Sequence, residues 1–260
     1  MFTKLYRLSK RTAHFLVESL NQNLNGQRQH RIPVHIKVLA SLYFFGHGSY
    51  QTTVGQGQYL GLSQPSVSKS RLFYNRKGFY SLNCQFVCNA TMEIIHFNAT
   101  FPGSTHDTAV WQGSSLNQML ETGYFNGVSA GGWLLGDSGY AQLPWLMTPY
   151  AEADDNTPEA RYNLAHSKTR VLIEKCFGVM KTRFRCIHKH RTLHYDPVKA
   201  SKIIAAVVVL HNLAIKRNDP LPDELELEDR RWPLDDPPRD ISLLNIARSI
   251  RNRITREYFA

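Results

Sequence analysis

Hydrophobic residues in the N-terminal part of the chain follow the period of an α-helix. They recur about once per helical turn in Phe15–Leu20 and again in Pro33–Phe45, with polar residues between them. This spacing predicts amphipathic helices that each bury one face. We therefore expect residues 1–70 to form a helical region.

The middle of the chain, residues 71–217, combines strand patterns with helix patterns. The predicted elements are strands at Tyr80–Asn89, Met92–Phe101 and Trp133–Leu135, and helices at Ser167–Phe184 and from the capping residue Asp196 to about Lys216. The first two strands should pair as a hairpin, and the third should be short and buried. This mixture predicts an α/β (α+β) domain.

The last part, residues 218–260, changes composition abruptly. Residues 218–240 contain nine acids, three arginines and five prolines, which predicts an extended or disordered linker. A short basic helix is expected at about Ile241–Tyr258. The chain thus divides into three regions.

The net charge of +10 is concentrated in one segment. Residues 1–92 contain 11 Lys and Arg and a single acid, Glu18, whereas the remaining 20 bases and 20 acids cancel. A field of this kind attracts polyanions, of which nucleic acid is the commonest. A solvated basic surface without a partner is the plainer alternative.

Neither a membrane span nor a disulfide framework is indicated. The longest purely apolar run, Ile203–Leu210, is far too short to cross a bilayer. Four cysteines in 260 residues fit a reducing compartment. Because zinc would need a tighter cysteine pair and matching histidines, we expect core cysteines at Cys84, Cys88, Cys176 and Cys186.

The segment GQYLGLSQPSVSKS, within the basic region, has helix-turn-helix character. Gly57, the turn residue Gly61 and the apolar Val67 have the spacing of that motif, and Ser63 can cap its second helix. The side chains then directed at DNA would be Gln64, Ser66, Ser68 and Lys69. A plain surface helical hairpin would show the same short pattern.

Three acidic residues lie at positions where their carboxylates could take part in catalysis. Asp107 follows the predicted strand Met92–Phe101, Asp137 lies in a glycine-flanked turn, and Glu174 lies on the predicted helix Ser167–Phe184. The bases near Glu174 on the same side, which could contact DNA phosphates, are Arg170, Lys181 and Arg185.

Phosphodiester hydrolysis needs an activated water and neutralisation of the leaving oxygen. Two Mg²⁺ ions about 3.5–4 Å apart, held by a few carboxylates, can supply both. Each acid also has a structural interpretation. Asp107 could cap a helix, Asp137 could be a turn residue, and Glu174 could pair with Arg170 one turn earlier.

Successive sequence blocks resemble the Harbinger transposase family and its domesticated nuclease. They are YNRKGFYSLNCQFVCNA, FPGSTHDTAVWQGSSL, WLLGDSGYAQLPWLMTPY, RYNLAHSKTRVLIEKCFGVMKTRFRC and LHN, in order over Tyr74–Asn212. The resemblance implies an RNase H-like catalytic core in which the acids of a DDE triad bind Mg²⁺ or Mn²⁺. It implies that Asp107 is the second catalytic Asp, that Glu174 is the catalytic Glu, and that Asp137 lies near the metal.

One departure from the family pattern concerns the first catalytic Asp. In the family it lies on a core strand within a segment of several dozen residues, but here Ser70 runs directly into Arg71. No Asp or Glu occurs between Ser19 and Met92 that could substitute. The metal site is thus expected to lack one ligand and the sheet one strand.

Two functions of different classes remain after these observations. The first is a transposase-derived, metal-dependent DNA endonuclease, inactive in this form because of the missing segment. The second is a non-enzymatic DNA- or protein-binding relic of a transposase. The resemblance also implies a Myb-like DNA-binding partner and a location in the nucleus and the cytoplasm, and it leaves an oligomer open.

Overall fold

The computed structural model of the protein describes most of the chain. The described residues are 2–24, 32–48, 73–74, 81–125, 132–188, 193, 195–220 and 241–260. The predicted helix-turn-helix, with Gln64, Ser66, Ser68 and Lys69, lies outside the described residues. So do residues 221–240 of the predicted linker.

The described residues form a mixture of helices and two small sheets, as the sequence predicts. The helices are α1 Phe2–Tyr6, α2 Lys10–Leu24, α3 Val34–His47, α4 Asp107–Gln112, α5 Ser115–Phe125, α6 Pro158–Arg183, α7 Pro197–Lys216 and α8 Ile241–Phe259, with a 3-10 turn at Arg185–Ile187. The strands are β1 Leu82–Cys88, β2 Ile94–Pro102, β3 Leu134–Leu135 and β4 Leu146–Met147. These elements confirm the α+β class.

The greatest difference from the predicted boundaries is at the start of α6. The helix begins at Pro158, nine residues before the predicted Ser167. The Thr157 hydroxyl accepts a hydrogen bond from the Ala160 amide at 3.2 Å, and proline suits the first helical position. These two start signals were present in the sequence, but the prediction followed only the hydrophobic period.

The chain divides into two compact units. The first unit comprises residues 1–70, 88–95 and 175–228, and the second unit comprises residues 71–87, 96–174 and 229–260. Strands β1 and β2 and helix α6 contribute residues to both.

In the first unit, the N-terminal helices hold the chain that leaves α7. The buried Asp219 carboxylate accepts hydrogen bonds from the Ser9 amide (3.1 Å) and the Thr12 hydroxyl (2.9 Å). The buried Arg183 guanidinium donates to the carbonyls of Asp219 and Pro220 at 3.3 and 3.0 Å. The first residues of the predicted linker, Asp219 and Pro220, are therefore held in place, and the bounds of the linker stay a prediction.

The LHN block ties α7 to the beginning of β2, also within the first unit. The Asn212 side chain accepts from the Ile94 amide at 2.9 Å and donates to the Ile94 carbonyl at 2.7 Å. The neighbouring His211 donates through Nε2 to the Met92 carbonyl at 2.8 Å. Burial lowers the pKa of His211, so the imidazole is neutral at pH 7. The Asn212 side chain thus binds both backbone groups of Ile94, as a neighbouring strand would.

We expect Asn212→Ala to destabilise the protein markedly. The substitution leaves the N–H and C=O of the buried Ile94 without partners, which costs about 1–3 kcal/mol for each group. Urea unfolding at pH 7, followed by circular dichroism, measures the change. Asn245→Ala, on the exposed side of α8, is the matched control and should have little effect. A change below about 0.5 kcal/mol for Asn212→Ala would contradict this role.

Helix α7 is also the one described helix whose length and composition would allow a membrane span. Its buried side chains include Val207, Leu210 and Ala214, and its polar residues His211 and Asn212 bind backbone groups of the first unit. These contacts place that side of α7 in the core of the unit.

The four cysteines are free thiols. Cys176 and Cys186 are buried, whereas Cys84 and Cys88 are partly buried. The Cys176 thiol donates to the Met92 carbonyl at 3.4 Å. The expectation of core cysteines is confirmed for Cys176 in α6 and for Cys186 in the 3-10 turn after it. It holds in part for Cys84 and Cys88 on β1.

The second unit has a core built on two tryptophans. Trp111, Trp145 and Leu146 are buried together, and the partly buried hydrophobics packed on them are Leu116, Leu120, Tyr124, Leu134, Tyr140 and Leu143. Strands β3 and β4 lie parallel, with Leu134 opposite Leu146.

The prediction that β3 is buried is wrong on one face. Leu134 packs on the tryptophan core, but Trp133 and Leu135 are 45% and 39% exposed. Successive strand residues point to opposite faces, and the described residues do not cover the face that Trp133 and Leu135 share.

Candidate active site

The turn between β2 and α4 places Asp107 at the first position of α4. Gly103 donates to the Ser81 carbonyl at 2.8 Å, and a Cβ at Gly103 would lie 2.0 Å from the Ser81 hydroxyl oxygen. Only glycine fits so close to the neighbouring chain. His106, not Asp107, occupies the N-cap position. The interpretation of Asp107 as a helix cap is therefore wrong, and its carboxylate is available for another role.

Asn83 on β1 orients the Asp107 carboxylate. Its side-chain amide donates to Asp107 Oδ1 and to the Thr105 carbonyl, both at 2.8 Å. One amide group thus holds the acid and the turn before it in a fixed relation. The sequence reasoning missed Asn83, although a polar residue in an otherwise alternating, largely apolar strand was a usable signal.

Asp137 follows β3 and uses its two carboxylate oxygens differently. Oδ1 accepts the Gly139 amide at 3.0 Å, which is the turn role foreseen from the sequence. Oδ2 lies 3.4 Å from an Arg170 guanidinium nitrogen, and the two side chains are 15% and 23% exposed. Arg170 thus pairs with Asp137 and not with Glu174, contrary to the structural interpretation of Glu174. At 3.4 Å the contact is longer than a typical N–H···O hydrogen bond.

Tyr140 connects the surroundings of Asp107 and Asp137. Burial, the negative charge of Asp107 and then that of Asp137 raise the pKa of Tyr140 well above its ordinary value. The Thr108 hydroxyl, next to Asp107, donates to the Gly139 carbonyl at 2.9 Å. Both acids therefore border one site, in which the Tyr140 hydroxyl stays protonated and can donate a hydrogen bond.

Gln85 is a second polar residue of β1 at this site. It is only 5% exposed, and its amide lies beside the Tyr140 hydroxyl without meeting hydrogen-bond geometry. Asn83 and Gln85 are two positions apart and so lie on the same face of β1. This face is the polar wall of the site.

Glu174 lies one helical turn after Arg170 on α6 and is exposed. Within the described part of the chain, no three His, Cys, Asp or Glu side chains come close enough together to hold a metal ion. The structure thus places Asp107 and Asp137 near Tyr140 but shows no three-ligand group that includes Glu174 among the described residues. The assignment of Glu174 stays a prediction.

The two other bases predicted to bind DNA differ in their local structure. Lys181 is partly buried near the end of α6, which ends at Arg183. Arg185 lies in the following 3-10 turn, so it does not continue the helical face that was predicted for it. Their role in DNA binding stays a prediction.

The RYN block, residues 161–163, binds α6 to the segment that follows β4. The Asn163 side chain accepts from the Tyr150 amide at 2.8 Å and donates to its carbonyl at 3.0 Å. The buried His166 donates through Nε2 to the Met147 carbonyl at 3.2 Å, and burial lowers its pKa. These contacts fix the helical turn that carries Arg170. The sequence assigned no role to this block.

Comparison with known proteins identifies relatives over most of the chain. Residues 59–212 match the model of the DDE superfamily endonuclease family. The candidate nuclease HARBI1 of Homo sapiens is 31% identical over 274 aligned positions, which cover 82% of this chain and 76% of the relative. HARBI1 of Xenopus laevis is 35% identical over 152 residues (58% and 42%). Protein ALP1-like of Arabidopsis thaliana is 27% identical over 176 residues (64% and 43%). No solved structure matches this chain.

The alignment with the human relative is longer than the part of this chain that it covers. Since 82% of 260 residues is about 213, about 61 of the 274 aligned positions have no counterpart here. The relative therefore contains several dozen residues that this chain lacks.

Proposed function

Because this chain belongs to the Harbinger transposase-derived family of DDE superfamily endonucleases, we propose that it is built to hydrolyse DNA phosphodiester bonds with a divalent metal. The family match and the nuclease-named relatives support the reaction class. The convergence of Asp107 and Asp137 on Tyr140 carries the proposal for this site. Glu174 is proposed as the third acid.

The donors at the site suit Mg²⁺ or Mn²⁺. Both are hard cations that prefer oxygen ligands, and Mg²⁺ is often held by one or two carboxylates with water and substrate phosphate completing its shell. Asp107 and Asp137 fit that pattern. Bound there, the metal would supply charge neutralisation and activation of water at the scissile phosphate.

The residues around the acids have separate supporting roles in this proposal. Asn83 holds the Asp107 carboxylate in one orientation. The Arg170 guanidinium balances the charge of Asp137, and its planar set of N–H donors also suits a phosphate oxygen. Tyr140, which remains protonated, can donate a hydrogen bond to an anionic oxygen. In the reaction, water adds to phosphorus and the P–O bond to one sugar oxygen breaks.

We further propose that the segment absent between Ser70 and Arg71 contains the first catalytic Asp and a strand of an RNase H-like core. The described strands form two separate pairs, β1 with β2 and β3 with β4. The face of β3 with Trp133 and Leu135 is exposed. A strand added here would cover apolar surface and bring a further acid to the site.

Binding to DNA is assigned to the basic region and to its predicted helix-turn-helix. A Myb-like partner, and a location in the nucleus and the cytoplasm, are proposed from the family resemblance. These proposals rest on the charge of residues 1–92 and on family membership.

A second candidate function is a DNA- or protein-binding relic without cleavage. It is favoured by the absence of a three-ligand group among the described residues and by the aligned positions that this chain lacks. The two candidates differ in whether the acids bind metal.

A manganese titration distinguishes these candidates. We expect the chain to bind Mn²⁺ weakly, as measured by the paramagnetic signal of the free ion. Asp107→Asn should abolish this binding, and Asn83→Ala should weaken it about 10-fold or more, because loss of a residue that orients a ligand has that typical cost. Asp155→Asn, in an exposed loop, is the matched control and should leave the affinity unchanged. Equal Mn²⁺ binding by the chain and Asp107→Asn would favour the relic.

A further inference from the structure

We infer that the exposed face of α8 is a second DNA-binding surface, which contacts the phosphate backbone. The inference rests on the proposed function and extends it to a part of the chain outside the basic region. Residues 93–260 carry no net charge in total, and the sequence predicted only a short basic helix here. The folded structure shows which of its arginines face outward.

One side of α8 packs against the rest of the second unit. Ala247 and Thr255 are buried. The Arg251 guanidinium lies 3.8 Å from the centroid of the Tyr150 ring and donates to the carbonyls of Thr148 and Pro149 at 3.1 and 3.0 Å. The Arg251 side chain therefore contacts the rest of the unit, and the opposite side of the helix faces outward.

The three other arginines of the helix, Arg248, Arg253 and Arg256, are all exposed. At 3.6 residues per turn they fall within an arc of about 140°. Four polar residues on this arc are also exposed: Ser242, Asn245, Ser249 and Asn252. The partly buried Phe259 lies on the arc at the end of the helix. The only acid in α8 is Glu257, at the edge of the arc. The outward face is therefore cationic and rich in hydrogen-bond donors.

These features fit a nucleic-acid backbone better than a general basic surface. All four bases of α8 are arginine, whose planar guanidinium matches phosphate with paired hydrogen bonds. Asparagine and serine side chains also commonly contact phosphate oxygens. Because α8 packs on the unit that contains Asp107 and Asp137, DNA held there would be held by the same unit as the acids.

The test measures binding of the full chain to a fluorescent DNA duplex by anisotropy over a range of NaCl concentrations. The test variant replaces the three arginines by glutamine (R248Q, R253Q and R256Q), and a matched variant replaces them by lysine. Loss of three phosphate contacts should reduce the slope of log affinity against log salt by about 2.7. The lysine variant should keep most of the slope. Lys202→Gln, on the exposed side of α7, should change the slope by no more than about one.

The outcomes separate this inference from the function on which it rests. If the unaltered chain binds DNA and the glutamine variant binds with the same affinity and slope, the α8 surface is wrong and the proposed function stands. Equal losses in the glutamine and lysine variants would assign the effect to helix packing and also overturn the inference. A chain that binds no duplex DNA at any salt concentration would overturn both.

Discussion

The 260-residue chain is expected to bind duplex DNA but to nick supercoiled DNA barely or not at all in Mg²⁺. Asp107 and Asp137 both lie near Tyr140, but we propose that the segment with the first catalytic Asp is missing from this chain. A missing ligand that positions the attacking water costs more in the transition state than in ground-state binding. Its loss should therefore lower the rate strongly, on the order of 10⁴-fold.

Restoring the segment between Ser70 and Arg71 should switch cleavage on, and Asp107→Ala or Glu174→Ala should switch it off again. Asp155→Asn in the restored protein should cleave normally. Robust Mg²⁺-dependent nicking by the 260-residue chain, lost on Glu174→Ala, would show that the first Asp is dispensable or replaced. A restored protein that fails to cut, even with its partner, would favour the binding relic.

The affinity of the chain for duplex DNA is expected to fall steeply between about 50 and 200 mM salt. If the 11 bases of residues 1–92 make 6–10 phosphate contacts, the loss should be about 10³- to 10⁵-fold through counterion release. Titrations of a labelled duplex at four or more salt concentrations measure the slope. A flat salt dependence would refute electrostatic DNA binding.

Substitutions in the predicted helix-turn-helix give this expectation a finer test. Lys69→Ala should weaken binding to all sequences alike, because a phosphate contact does not depend on the base. Changes at Gln64, Ser66 or Ser68 should alter sequence preference instead. Variants at these three positions that all bind like the unaltered chain, whatever the sequence, would favour the surface helical hairpin.

Hydrophobic periodicity predicted most of the secondary structure of the described residues. The helix at Val34–His47 and the strands Leu82–Cys88 and Ile94–Pro102 lie within a few residues of their predicted bounds. These elements are encoded locally, since their apolar spacing matches the helix or strand period. The short strand β3 was placed correctly, but its burial depends on neighbouring strands that a local pattern does not describe.

The sequence by itself determined the family, the candidate acids and the location of the positive charge. These properties depend on residue identity and order, which the chain displays directly. Only the tertiary structure showed that Asn83 orients Asp107, that Arg170 pairs with Asp137, and that Asn163 and Asn212 each pair with the backbone of one distant residue. These contacts join residues 13 to 118 positions apart. No local spacing rule reaches that far, because such contacts exist only once the core has brought the elements together.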